Sequence, residues 1–208
     1  MKTLLRTFAI VAASVSLLAA CANKSDSTSA TADMTLGKDT APVTMVEYAS
    51  VTCSHCARFD RDVFQTIRTK YIDTGRVHYV FKEFLTPPEA AAASGFLLAR
   101  CAGKDKYFDV IEAMFRSQEE SFRTGDFRTT YLRIAKSAGM TEEQFATCVN
   151  DSKALDALQT RVQNAIEKDK VNGTPTIFVN GKQIGSGEIP LDKLEAAILE
   201  AEKNPAKK

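Results

Sequence analysis

Two cysteines separated by two residues, Cys53-Ser54-His55-Cys56, carry the most specific chemistry in this 208-residue chain. The run before them, Val43 to Tyr48, is rich in β-formers and reads as a buried strand. After them Cys56, Phe59, Val63, Ile67 and Tyr71 recur at steps of three and four, which predicts a helix with these residues on one face. Cys56 is therefore expected to lean into the core. Cys53 precedes the first turn, where unpaired N–H groups and the positive end of the helix dipole favour an anion. A thiol held there is stabilised as its thiolate, the nucleophilic form. An exposed, low-pKa Cys53 with a buried partner is suited to thiol–disulfide exchange.

Metal binding is the rival chemistry of a Cys-x-x-Cys pair, and a structural zinc site needs two more ligands, usually at short spacing. Cys101 and Cys148 are isolated, and the histidines are His55 and His78. His55 lies inside the motif, poorly placed to close a chelate, and His78 falls in a predicted strand. No metal and no cofactor are expected; the redox group is the cysteine pair itself.

The chain has five cysteines, an odd number. Lys2 and Arg6 precede a small, apolar stretch from Thr7 to Ala20, too short for a confident membrane span, which marks residues 1–21 as an export leader. Its end, Leu18-Ala19-Ala20-Cys21, resembles the bacterial lipobox, which implies cleavage before Cys21 and lipidation of that residue. The alternative is an ordinary secretory leader cut near Ala20, leaving Cys21 as a free thiol. Residues 22–33 are rich in Ser, Thr and Ala and read as a flexible tether reaching on the order of 20 Å. With Cys21 lipidated and Cys53 set against Cys56, Cys101 and Cys148 remain, and an exported protein can bridge them. Two separate buried thiols are the other possibility.

The precursor carries 27 basic and 26 acidic side chains, and removing residues 1–21 takes away Lys2 and Arg6, leaving a net charge of −1. So balanced a chain gives no electrostatic reason to bind nucleic acid. A second strand is predicted at Val77 to Phe81, followed by the stop Thr86-Pro87-Pro88. Helical spacing then runs to about Lys170, including a Thr141-x-x-Gln144 capping box. Strand chemistry returns at Thr176 to Val179, Asn180-Gly181 marks a hairpin, and Pro190 opens a last helix. The expected fold is α/β, thioredoxin-like, with an inserted α-helical domain: 34–86 as the first half, 87–170 as the insert and 171–204 as the second half.

Over about residues 34–203 the chain resembles the DsbA family of exported thiol–disulfide oxidoreductases. The resemblance rests on Ala41-Pro42-Val43 leading to Val46-Glu47-Tyr48, on Cys53-Ser54-His55-Cys56, on a helical insert with its own cysteine pair, and on Val171 to Gly181 with Thr174-Pro175. It implies a cis Thr174-Pro175 peptide facing the disulfide and a role for His55 in favouring the Cys53 thiolate. It also implies that Glu47 is a buried acid exchanging a proton with Cys56; a strand-edge glutamate in water is the alternative. Lys82 is the candidate charge partner of Glu47. Ser54 stands where the best-known family pattern has proline.

The resemblance further implies a protein disulfide oxidase of the periplasm acting on reduced exported proteins and reoxidised by a DsbB-type membrane partner. A monomer held to a membrane by lipid is expected. The rivals are an isomerase or reductase, and a noncatalytic thioredoxin-like binding module. Isomerases of the superfamily add an N-terminal dimerisation domain, for which the tether is too short.

Overall fold

The structure, a computed structural model, describes residues 32–204. The expected leader at 1–21, Cys21 with its lipid, and all but the last two residues of the tether lie outside the described residues.

Strand parity organises the sheet, because successive side chains point to opposite faces. In order, the strands are β1 (Met34–Leu36), β2 (Val43–Ala49), β3 (Val77–Glu83), β4 (Thr176–Val179) and β5 (Lys182–Ser186). They form one mixed sheet ordered β1-β3-β2-β4-β5. β2 pairs in parallel with β3 and antiparallel with β4. A parallel pair needs a crossover, and the helix after Cys53 supplies it. The β4–β5 turn places Asn180 and Gly181 at φ 46° and 80°, the positive pair that a tight hairpin requires. Asn180 also accepts the Thr44 N–H on Oδ1 at 2.8 Å, fastening the hairpin to β2.

The crossover is not the uniform helix that the periodicity predicts. α1 (Ser54–Phe59) runs into a π turn at Asp60–Phe64, then α2 (Gln65–Ile67), then a second π turn at Arg68–Ile72. Adjacent residues Val63 and Phe64, then Tyr71 and Ile72, are buried in these wider turns. The Phe64 ring lies 4.7 Å from that of Tyr79 on β3, centroid to centroid.

Between β3 and β4 come α3 (Glu89–Cys101), α4 (Tyr107–Thr124), α5 (Phe127–Ser137), α6 (Glu142–Val149) and α7 (Ser152–Glu167). Both halves of the Thr141/Gln144 capping box form, at 2.8 and 3.1 Å. A Cys101–Cys148 disulfide joins α3 to α6, with Cα atoms 6.1 Å apart. Phe81 of β3 meets Phe96, Tyr107 and Phe108, so one aromatic cluster seats the helical block on the sheet. The buried Glu83 carboxylate accepts from Arg100 at 2.6 Å, Tyr107 at 2.9 Å and Arg161, which ties β3 to α3, α4 and α7. Removing one member of such a buried charged set is strongly destabilising. α8 (Leu191–Lys203) packs against β2 and β4. Among the described residues no helix is long and apolar enough to cross a membrane.

Candidate active site

Cys53 is the N-cap of α1, in an extended conformation, and its Sγ accepts the Cys56 N–H at 3.3 Å. Both residues are free cysteines. Cys56 is fully buried, but Cys53 retains only 9% exposure, so the expected exposed thiol is a nearly covered one. The cover comes from far along the chain. The Thr174-Pro175 peptide is cis, and the Thr174 carbonyl oxygen lies 3.3 Å from Cys53 Sγ, placed to accept from the neutral thiol.

The two thiols are driven apart in acidity. A hydrogen bond from Cys56 is the largest influence on Cys53; burial opposes it, and the Thr174 side chain and the N–H groups of Cys56 and His55 add to it. The result lies at about 6, well below an ordinary thiol. Burial pushes Cys56 well up, and Cys53 and Glu47 push it further. The proton of the reduced pair therefore resides on Cys56 and the negative charge on Cys53.

The loop that presents Cys53 is pinned. Cys53 N–H donates to Ser50 O at 3.0 Å, and Thr52 Oγ1 donates to Thr86 O at 2.8 Å. From α4, Gln118 Nε2 donates to Val51 O at 2.9 Å and Cys53 O at 3.1 Å. Gly95 of α3 backs onto the same loop, where a Cβ would meet Val51 Cγ2 at 2.8 Å. Gln118 was not among the residues expected from sequence. Its signal is a polar side chain on the buried stripe of α4, in line with Ile111, Met114 and Phe115.

Glu47 is buried, 3% exposed, rather than in water at a strand edge. The Tyr79 hydroxyl donates to its Oε2 at 2.7 Å. Burial raises Glu47 to about 8; Tyr79 acts against this, and Asp60 and Cys53 add to it. Lys82 is not its partner. In the parallel register Glu47 lies opposite Phe81, and Lys82 lies opposite Tyr48 on the other face. There the Lys82 Nζ sits 3.9 Å from both Asp33 and Asp169 and 5.5 Å above the Tyr48 ring.

His55 acts on Cys53 through its backbone, and its imidazole turns elsewhere. Arg58 Nη2 lies 2.8 Å from His55 Nδ1 and 3.0 Å from Glu188 Oε1. Glu188 Oε1 also lies 3.5 Å from His55 Nδ1, so the ring faces an Arg58–Glu188 pair at the surface. His78 lies opposite Thr44, at the far end of β2 from the thiols, with Nδ1 3.5 Å from Asp39. Among the described residues no three His, Cys, Asp or Glu side chains are grouped to hold a metal. An open groove of about 1030 Å³ runs beside Ser54, between Asp60 and Arg61 on one side and Phe115 and Phe122 of α4 on the other.

A sequence model described as thioredoxin matches residues 29–200. The crystal structure of alpha-DsbA1 from Wolbachia pipientis superposes with a TM-score of 0.76 at 30% identity, covering 83% of this chain and 92% of that one. This chain belongs to the DsbA-like branch of the thioredoxin family. Disulfide bond formation protein D of Bacillus subtilis is 30% identical, over 72% of this DsbA-like chain and 68% of its own length. A Rickettsia felis protein, provisionally named a protein-disulfide oxidoreductase, is 32% identical over 84% of this chain. The DsbA-like chain spans 63% of the length of that rickettsial relative.

Proposed function

We propose that this protein is an exported disulfide oxidase. The observation that carries the reading is the placement of Cys53 at the N-cap of α1, its Sγ accepting the Cys56 N–H at 3.3 Å, beside a fully buried Cys56; this geometry lowers the first thiol and raises the second. In the oxidised enzyme, a substrate thiolate attacks Cys53 Sγ and breaks the Cys53–Cys56 bond. Cys56 leaves as a thiolate and takes the proton of Glu47. A second substrate thiolate attacks the substrate sulfur of the mixed disulfide and expels Cys53 as a thiolate. The substrate loses two electrons and the enzyme gains them.

A leaving thiolate of low pKa departs readily, and stabilising it favours the reduced enzyme, which makes the disulfide oxidising. The Thr174 carbonyl and Pro175 present backbone to the incoming chain, and Gln118 keeps the loop beneath it fixed. The proposed partners are reduced exported proteins and a DsbB-type membrane protein that removes the two electrons. Cys21 is the proposed lipid attachment point, holding a monomer at a membrane of the periplasm.

Two measurements test the reading: the Cys53–Cys56 potential against glutathione, and the refolding of a reduced and then of a scrambled disulfide protein. An oxidising potential with activity on the reduced substrate is expected. A strongly reducing pair, or activity on the scrambled substrate alone, overturns the oxidase reading. Activity that survives Cys53→Ser removes the enzyme assignment itself.

A further inference from the structure

The partner that the fold gives Glu47 is a phenol. Tyr79 is 2% exposed, and its ring is fixed between Phe64 at 4.7 Å and Phe108 at 6.0 Å, centroid to centroid. Its hydroxyl therefore meets Glu47 Oε2, at 2.7 Å, from a fixed direction. The register leaves Phe81, an apolar ring, directly across from Glu47, and strand parity sends the neighbouring cation Lys82 to the opposite face.

We propose that Tyr79 is a positioning residue for the redox step, holding the Glu47 carboxyl so that it gives its proton to Cys56 as the disulfide opens and recovers it as Cys56 attacks. This inference rests on the reading of Glu47 as the proton carrier. A cation beside Glu47 would keep the carboxyl ionised, with no proton to give. With no partner at all, burial would hold the proton on Glu47 and oppose its transfer. A hydroxyl lies between these limits. It bonds to one oxygen of the neutral acid and leaves the other to carry the proton. Once that proton has gone to the Cys56 thiolate, the same O–H faces a carboxylate, and such a charge-assisted bond is roughly twice as strong as a neutral one. The hydroxyl thus stabilises the state that proton delivery creates.

Other groups act on the same carboxyl. From the start of α1 and the π turn that follows it, Cys53 and Asp60 oppose its ionisation, and Glu47 in turn raises Cys56. Asp60 is itself raised by burial and Glu112 and lowered by Gln65, Arg116 and Arg68. From α4, Tyr107 bears on Tyr79. Among these, Tyr79 alone acts on Glu47 by direct hydrogen bond and lowers it.

The test is carboxyl carbon-13 NMR on the full chain labelled at glutamate, with the Glu47 resonance identified by its loss in Glu47→Gln. Tyr79→Phe keeps the ring and removes only the hydroxyl. The Glu47 midpoint is expected to rise by about one pH unit in that variant, a tenfold change in its ionisation equilibrium. Opening of the Cys53–Cys56 disulfide by glutathione is expected to slow in Tyr79→Phe and not to slow further when the change is added to Glu47→Gln. An unmoved midpoint overturns the inference. So does a Tyr79→Phe effect that is undiminished in the Glu47→Gln background, as a packing role would give. A wild-type midpoint in the ordinary carboxylate range instead overturns the reading of Glu47, and this inference with it.

Discussion

Cys53 and Cys101 both sit at helix ends, but at opposite ends, and the two cysteine pairs diverge from there. Cys53 caps the start of α1, whereas Cys101 is the last residue of α3 and Cys148 lies in the final turn of α6. Free N–H groups and positive potential surround the first; carbonyls and negative potential surround the second pair. A thiolate is helped in one place and opposed in the other. The nearer pair, three residues apart, is free, and the pair separated by 47 residues is bonded. One residue type thus supplies a reagent where the backbone welcomes charge and a staple where it does not.

Removing each pair in turn is the largest test of this division. Cys53→Ser is expected to reduce disulfide formation in a reduced substrate to the uncatalysed rate. Cys101→Ala with Cys148→Ala is expected to leave that rate unchanged and to cost roughly 4 kcal/mol of stability, from the loop entropy of a bridge of this span. Urea unfolding of the oxidised protein measures the second quantity. Loss of exchange in the double variant with unchanged stability would reverse the two assignments.

A smaller perturbation sharpens the comparison by loosening only the active loop. Gln118→Leu leaves the Val51 and Cys53 carbonyls without their shared donor, at a cost of about 1–3 kcal/mol for buried groups. The Cys53 thiolate, followed by its ultraviolet absorbance, is expected to titrate at higher pH as the capping geometry relaxes. The Cys101–Cys148 bond should be unaffected. A Cys53 titration that stays in place would show that the N-cap contacts alone fix the thiolate, without the clamp from α4.

Much of this architecture is legible in the residues themselves. Runs of β-formers announce β2 and β3, helical spacing announces the block after Pro88, and Asn180-Gly181 and Thr141/Gln144 announce a hairpin and a cap. What escapes is decided by distant pairing. β1 is three residues with no pattern of their own, held by β3. The π turns at 60–64 and 68–72 are invisible to a count of threes and fours. The resemblance implies Thr174-Pro175 beside the disulfide, but not that a residue 121 positions away leaves Cys53 nearly covered. Proximity in sequence offers Lys82 to Glu47, yet the register of β2 on β3 selects Tyr79, because parity separates neighbours on a strand. Gln118 is the intermediate case, visible as a polar residue on an apolar stripe but without an assigned partner.

The finest test of the two helix ends is the pH dependence of each pair's potential. Cys53 falls from an ordinary value of 9.0 to about 6 in the folded protein. Its contribution to the stability of the reduced form is therefore complete above pH 9 and is lost as pH falls through 6. Below about pH 6, reduction takes up two protons and the potential should fall by about 59 mV per pH unit; above it, only Cys56 is protonated and the slope should halve to about 30 mV. At pH 7 the ionised Cys53 is worth about a factor of ten, or about 30 mV towards a more oxidising disulfide. Cys101 and Cys148, at the ends where a thiolate gains nothing, should keep the two-proton slope over the same range. Equilibration with glutathione or dithiothreitol from about pH 5 to pH 8 distinguishes the two patterns. A single slope of about 59 mV at Cys53–Cys56 would mean that its thiolate is not stabilised at neutral pH. The contrast between the two pairs would then lie in their spacing and burial rather than in the helix end that each occupies.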